Sequence, residues 1–233
     1  AGTEQQFGKL DPVFGRDVGF YVFELPYLWL LWQYAFAASG VAFAAALVYA
    51  WHDYLVAGRR GYALAALCTL AVSATVAILA FIAAVGVWLS RYELLTRDNS
   101  DSSVHVGASY IDVSGLLSTL NAIHVSAAVL LGLGVALVLL TRALRWGDAP
   151  ARRRAVTAIG VLVLTDFAFR GAVELRDEFF VEPNEPVIQL EAIAHHIEAT
   201  RAGAKLEQIE RIPYTPGRPG DPLPQIDDIL AAP

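Results

Sequence analysis

The sequence contains no methionine, one cysteine and few charged residues, and each shortage removes a class of protein. With Cys68 alone, no intrachain disulfide can form and no zinc or redox centre can be assembled from thiolates. Within its apolar run Cys68 reads as a small core side chain. The missing Met places the expected translation start upstream of Ala1, and the first 25 residues lack the charged start and apolar stretch of a signal peptide. Charged residues make up 17% of the chain, against about a quarter in an average soluble domain. With 56% hydrophobic residues and a mean hydropathy of +0.48, the composition is that of a membrane protein. Walker loops, GxSxG elbows, HExxH pairs and dinucleotide fingerprints are all missing, so an enzyme is the least supported class.

Four continuous apolar runs are present, at about residues 26–50, 62–90, 116–140 and 155–173. Each is near the ~20 residues that cross ~30 Å of hydrocarbon at 1.5 Å per residue. Being continuous rather than alternating, they predict helices and not barrel strands. Pro26 falls in the first turn of the first run, where its missing N–H costs nothing. The expected fold is all-α and polytopic, with four transmembrane helices arranged as two hairpins. Four-residue spacings of small residues (Gly40 and Ala44, Ala42 and Ala46, Ala71 and Thr75) suit close helix approach, although small residues are abundant throughout.

Charge gives the expected orientation. Both short joints between paired runs are basic: Arg59 and Arg60 in one, and Arg142, Arg145, Arg152, Arg153 and Arg154 in the other. Short basic loops stay on the cytoplasmic side, so both termini are expected outside the membrane. The loop holding Glu93, Asp98, Asp101 and Asp112 against Arg91 and Arg97 agrees. Because topology accounts for the basic cluster, nucleic acid is not an expected partner.

The remaining segments flank this domain of residues 26–173. Residues 1–25 mix charges with Phe7, Phe14, Phe20, Tyr21 and Phe23, which reads either as a segment lying along the membrane surface or as an aromatic loop packed on the helix ends. Residues 174–211 hold an amphipathic helix with Asn184 as N-cap, Gly203 as stop, and Leu190, Ile193 and Ile197 along one stripe. Residues 212–233, with Pro213, Pro216 and Pro219 among six prolines, are expected to run extended, either without fixed structure or laid along a neighbour. The stripe and these prolines are the candidate partner-binding residues, and the expected partners are the lipid bilayer and other membrane subunits.

Little chemistry is visible inside the runs. Asp166 and Arg170, four apart on one helical face, form either a structural pair or part of an ion or proton path. His124 is the candidate cofactor-binding residue, as a haem or pigment ligand, against the ordinary alternative of an interhelical hydrogen bond. His52 beside Asp53 reads as interfacial. Glu191, His195 and Glu198 share a helical face, read as solvated rather than as a metal site. No cofactor is required by the sequence.

Three stretches, DPVFGRDVGFYVFELP from Asp11, RYELL with GASYIDVSGLLSTLNAI from Arg91 to Ile123, and FVEPNE with IEATR from Phe180 to Arg201, together resemble the UPF0182 family of large bacterial integral membrane proteins. Members of that family are typically longer, with more helices upstream and a large extracytoplasmic domain downstream. The resemblance therefore implies a short member, a processed piece or a part of a longer chain. It implies architecture and membrane location, and it brings no active site. The expectation is a non-catalytic accessory or scaffold subunit of a larger inner-membrane complex, respiratory or photosynthetic. The alternative is a transporter or channel component using Asp166, Arg170 and His124, and an enzyme acting on lipid comes third.

Overall fold

The computed structural model describes residues 7–57, 62–97, 107–188 and 190–206. Arg59, Arg60, Asp98, Asp101, the side chain of Glu191 and the prolines Pro213, Pro216 and Pro219 lie outside the described residues. Helices α1 (Leu25–Ala57), α2 (Tyr62–Leu89), α4 (Thr119–Trp146) and α5 (Ala149–Arg176) dominate, with short helices α3 (Tyr110–Val113) and α6 (Glu185–Ile188) and the 14-residue α7 (Leu190–Gly203). Among the described residues, four helices are long and apolar enough to cross a membrane. Their lengths of 28 to 33 residues correspond to ~42–50 Å at 1.5 Å per residue, which exceeds the ~30 Å hydrocarbon core.

The helices run further into the arginine-rich segment than the apolar runs predict. Helix α4 continues to Trp146 and α5 begins at Ala149, so the turn is Gly147 and Asp148 alone. Arginine is a good helix former, so the helix continues when the chain leaves hydrocarbon. Gly147, at φ 66°, provides the left-handed residue that ends α4, and Asp148 caps α5 by accepting from the Ala151 N–H at 2.9 Å. Asn184 stands immediately before α6, the position expected of a cap, and its amide donates to the Phe180 carbonyl at 3.0 Å within the tight turn Glu182–Asn184. Gly203 does end α7, on which Leu190 and Ile197 are exposed and Ile193 half-buried.

The spanning helices pack in series, α1 on α2, α2 on α4 and α4 on α5. Close approaches fall at glycines other than those the spacing suggests. At Gly86 a Cβ would overlap the Trp32 indole, which lies against α2 and donates Nε1–H to the Ile82 carbonyl at 2.7 Å. At Gly134 a Cβ would overlap Ala80, and nearer the arginines Ser73 and Thr141 share a 2.7 Å hydrogen bond. Gly40 instead faces open space, and Ala42 and Ala44 are exposed. In α1, therefore, the small-residue spacing marks an uncovered face.

Away from the arginine-rich turn, the helix ends are tied down by loops. Asp11 organises the first: its carboxylate accepts from the backbone N–H of Val13, Phe14 and Arg16 and from the Tyr21 hydroxyl at 2.5–2.9 Å. This seats Phe14 and Tyr21 against the buried Phe20, Leu25, Leu89 and Tyr92, so this part of the segment packs on the helix ends. Asp17 accepts from the N–H of Gly19, Phe7 and Gly8 at 2.7–3.0 Å, and these bonds hold its carboxyl below the ordinary 3.8. At the other helix pair, Arg176 donates to the Ser114 and Leu117 carbonyls at 3.0 and 2.8 Å, fixing the loop before α4 beside the buried Ile111, Ala122, Val173 and Val181.

Candidate functional site

From Ala155 to Arg170, the positions on α5 that are not exposed are Ala155, Ile159, Leu162, Asp166 and Phe169, spaced by three and four. This is the face that meets α4, and Asp166 interrupts an otherwise apolar stripe. Across it lies the buried Ser126 of α4, 3% exposed. The Ser126 hydroxyl donates to Asp166 Oδ1, and its oxygen accepts from Arg170 Nε at 3.1 Å and Nη2 at 2.7 Å. Arg170 Nε also reaches Asp166 Oδ2 at 3.0 Å. The three groups close a ring in which the Asp166 carboxylate and the Ser126 hydroxyl are satisfied.

That arrangement neutralises charge and does not prepare a nucleophile. Two guanidinium N–H groups occupy the lone pairs of Ser126 Oγ, the electrons an attacking hydroxyl needs. The Arg170 side chain remains 59% exposed, against 26% for Asp166, so part of the guanidinium looks outward from the edge of the helix row. Toward the arginine-rich end the cluster meets a dry stretch. Residues 127–140 of α4 contain no polar side chain, which is ~21 Å of helix at 1.5 Å per residue.

The second polar feature closes the far end of α2. Arg91 lies 3.7 Å from the Trp88 ring centre, 4.5 Å from that of Tyr92 and 5.8 Å from that of Phe14, and donates to the Tyr92 hydroxyl. No carboxylate pairs with it among the described residues, so aromatic faces hold the cation. The contact joins the Asp11 loop to the segment starting at Arg91. These are two of the stretches that carry the family resemblance.

The model of the uncharacterised protein family UPF0182 matches residues 2–225. The chain belongs to this family. A UPF0182 protein of Mycobacterium marinum is 34% identical over 200 residues, covering 84% of this chain and 19% of the relative. One of Mycobacterium leprae is 36% identical over 160 residues, 68% of this chain and 15% of the relative. The chain thus spans less than a fifth of the length of these relatives. No solved structure matches.

Of the residues that sequence singles out in this UPF0182 chain, the structure brings Asp166 and Arg170 together and leaves His124 apart. His124 precedes Ser126 by two residues, about 200° around the helix at 3.6 residues per turn, and its half-buried imidazole has no hydrogen-bond partner among the described residues. Sequence reasoning missed Ser126. Its signal is weak: a serine on α4 close to the depth at which Asp166 interrupts the apolar stripe of α5. His195 is exposed and His196 half-buried, and no group of three metal-ligating side chains occurs among the described residues.

Proposed function

We propose that this UPF0182 chain is a non-catalytic scaffold that docks other transmembrane segments within a larger assembly of the bacterial inner membrane. The observation that carries this reading is polar surface on both outer helices of the row. On α1, Gln33 is exposed and unpartnered among the described residues, eight residues or ~12 Å into the helix. On α5, Arg170 is more than half exposed. Polar groups at such depth are costly against lipid and act as glue between helices, so both edges are docking faces. In this reading the helices form two hairpins with their arginine-rich turns in the cytoplasm and both termini outside. Helix α7 then offers Leu190, Ile193 and Ile197 to an extracytoplasmic partner.

The test is the mass and composition of the particle extracted from native membranes in mild detergent. A particle of fixed composition containing further transmembrane chains is expected, and Gln33→Leu with Asp166→Asn and Arg170→Leu, which leaves no unpaired charge in the span, should release this chain from it. Recovery of this chain alone would overturn the reading.

The second reading, a transporter component, has the Ser126, Asp166 and Arg170 cluster in its favour. Against it stands the unbroken apolar stretch of residues 127–140, which offers a proton or ion no next station. Under that reading, Asp166→Asn with Arg170→Gln abolishes flux in proteoliposomes, whereas the scaffold reading expects no change.

A further inference from the structure

Beside the two-residue turn, α4 and α5 leave between them an open groove of about 590 Å³. Ala136, Leu139 and Ala158 contribute to its apolar floor, and Arg142, Arg154 and Trp146 stand toward the turn. We propose that this groove holds one anionic phospholipid, with its phosphate on Arg142 and Arg154 and an acyl chain along the floor. The site is separate from the polar cluster and does not rest on the scaffold reading.

Three observations favour this occupant. The first is length: the lining extends from Gly132 to Trp146, fourteen steps or ~21 Å of helix, more than the ~15 Å half-thickness of the hydrocarbon core. The groove therefore runs through one leaflet and opens among its headgroups. The second is charge. Arg142 and Arg154 are exposed and have no carboxylate partner among the described residues. The acid at the groove, Asp148, has Oδ1 engaged by the Ala151 N–H as helix cap, and Arg154 uses Nε on the Pro150 carbonyl at 3.4 Å, leaving its two terminal amino groups for a phosphate. Arg145, Arg152 and Arg153 add to the positive potential, which enriches anionic lipid at this surface. Trp146, 78% exposed, is the kind of side chain that settles at headgroup level.

The third observation is the floor, where the small side chains of Ala136, Ala143, Ala155 and Ala158 leave a track that a single chain of methylenes fits. A free phosphate would use the arginines and leave the floor unoccupied, and a zwitterionic lipid would use the floor but bring no net charge to the arginines.

The experiment is native mass spectrometry on the delipidated protein, titrated with phosphatidylglycerol and, separately, with phosphatidylcholine of the same acyl chains. One bound phosphatidylglycerol at an affinity at least tenfold above phosphatidylcholine is expected. Arg142→Gln with Arg154→Gln should erase that preference. Leu139→Trp with Ala158→Phe, both at exposed lining positions, fills the floor and keeps both charges; it should lower binding of both lipids at least tenfold and serves if the arginine variant does not fold. Equal affinity for the two lipids, a preference that survives loss of the arginines, or displacement of the lipid by millimolar inorganic phosphate would each overturn the proposal.

Discussion

Arg170 rests against a carboxylate and a hydroxyl across the α4–α5 contact, whereas Arg91, at the end of α2, rests among Trp88, Tyr92 and Phe14 with no carboxylate beside it. The difference follows depth and neighbours. Arg170 lies within a spanning helix, where an unpaired charge is expensive, so it is neutralised by an acid four residues away on its own helix. Arg91 lies where α2 ends and a tight helical turn begins, and there the ring faces can share the cation with water. An ion pair inside the span is therefore an all-or-none device. The aromatic cage is graded, because three rings contribute separately.

The largest expected effect comes from breaking the ion pair on one side. Asp166→Ala leaves the Arg170 cation with Ser126 alone, and a charged residue at span depth costs ~2.5–3.5 kcal/mol on insertion scales, so a loss of about that size is expected in unfolding measurements in lipid bicelles. Asp166→Asn with Arg170→Gln should recover most of it, because both charges leave together. Failure to recover would mean that the pair does more than neutralise itself.

A contact without charge calibrates that value. Gly134→Leu forces a side chain into the space held by Ala80 and should cost ~1–3 kcal/mol by overpacking, read in the same unfolding assay. Below it comes the cage. Arg91→Gln should cost ~0.5–2 kcal/mol, and Arg91→Lys, which keeps the charge but not the flat guanidinium, should cost less than half of that. A loss for Arg91→Gln equal to that for Asp166→Ala would erase the distinction between the two arginines.

The smallest effect is a local one at low pH. Backbone N–H groups of Gly19, Phe7 and Gly8 hold Asp17 below 3.8, so its contribution is complete above that value and fades as pH falls through the lower folded value. Protection of the Gly8 and Gly19 amides, measured against their intrinsic exchange rates at each pH, should therefore fall below pH 3.8 while Arg91 keeps its cage, and Asp17→Asn should remove that pH dependence. Protection that is constant with pH in the unmodified chain would contradict the assignment.

Much of the helical framework is legible in the sequence because hydrocarbon length and backbone hydrogen bonding leave few choices for long apolar runs. Asp166 and Arg170 are legible for the same reason, as charges in a span at a four-residue spacing. Ser126 was not, since a serine among alanines gives no sign of which helix it faces. Small-residue spacing misled at Gly40, because many faces of α1 and α2 carry small residues and packing selects among them. The arginine-rich segment misled about the turn: charge reports where the chain meets water, while Gly147 and the Asp148 cap determine where the helix stops.

By itself, then, the sequence determined an all-α class with four segments able to span a membrane, since a 20-residue apolar run has one stable way to cross hydrocarbon. It also determined membership of UPF0182, through stretches that lie largely outside those runs. The tertiary structure alone decided that the helices stack in series, that Gly86 and Gly134 are the points of closest approach, and that Asp166 turns toward Ser126 while His124 turns away. Those choices rest on how neighbouring helices rotate about their axes. Rotation is set by contacts between residues far apart in the chain, such as Trp32 with Gly86 and Ser126 with Asp166, and local pattern carries no record of them.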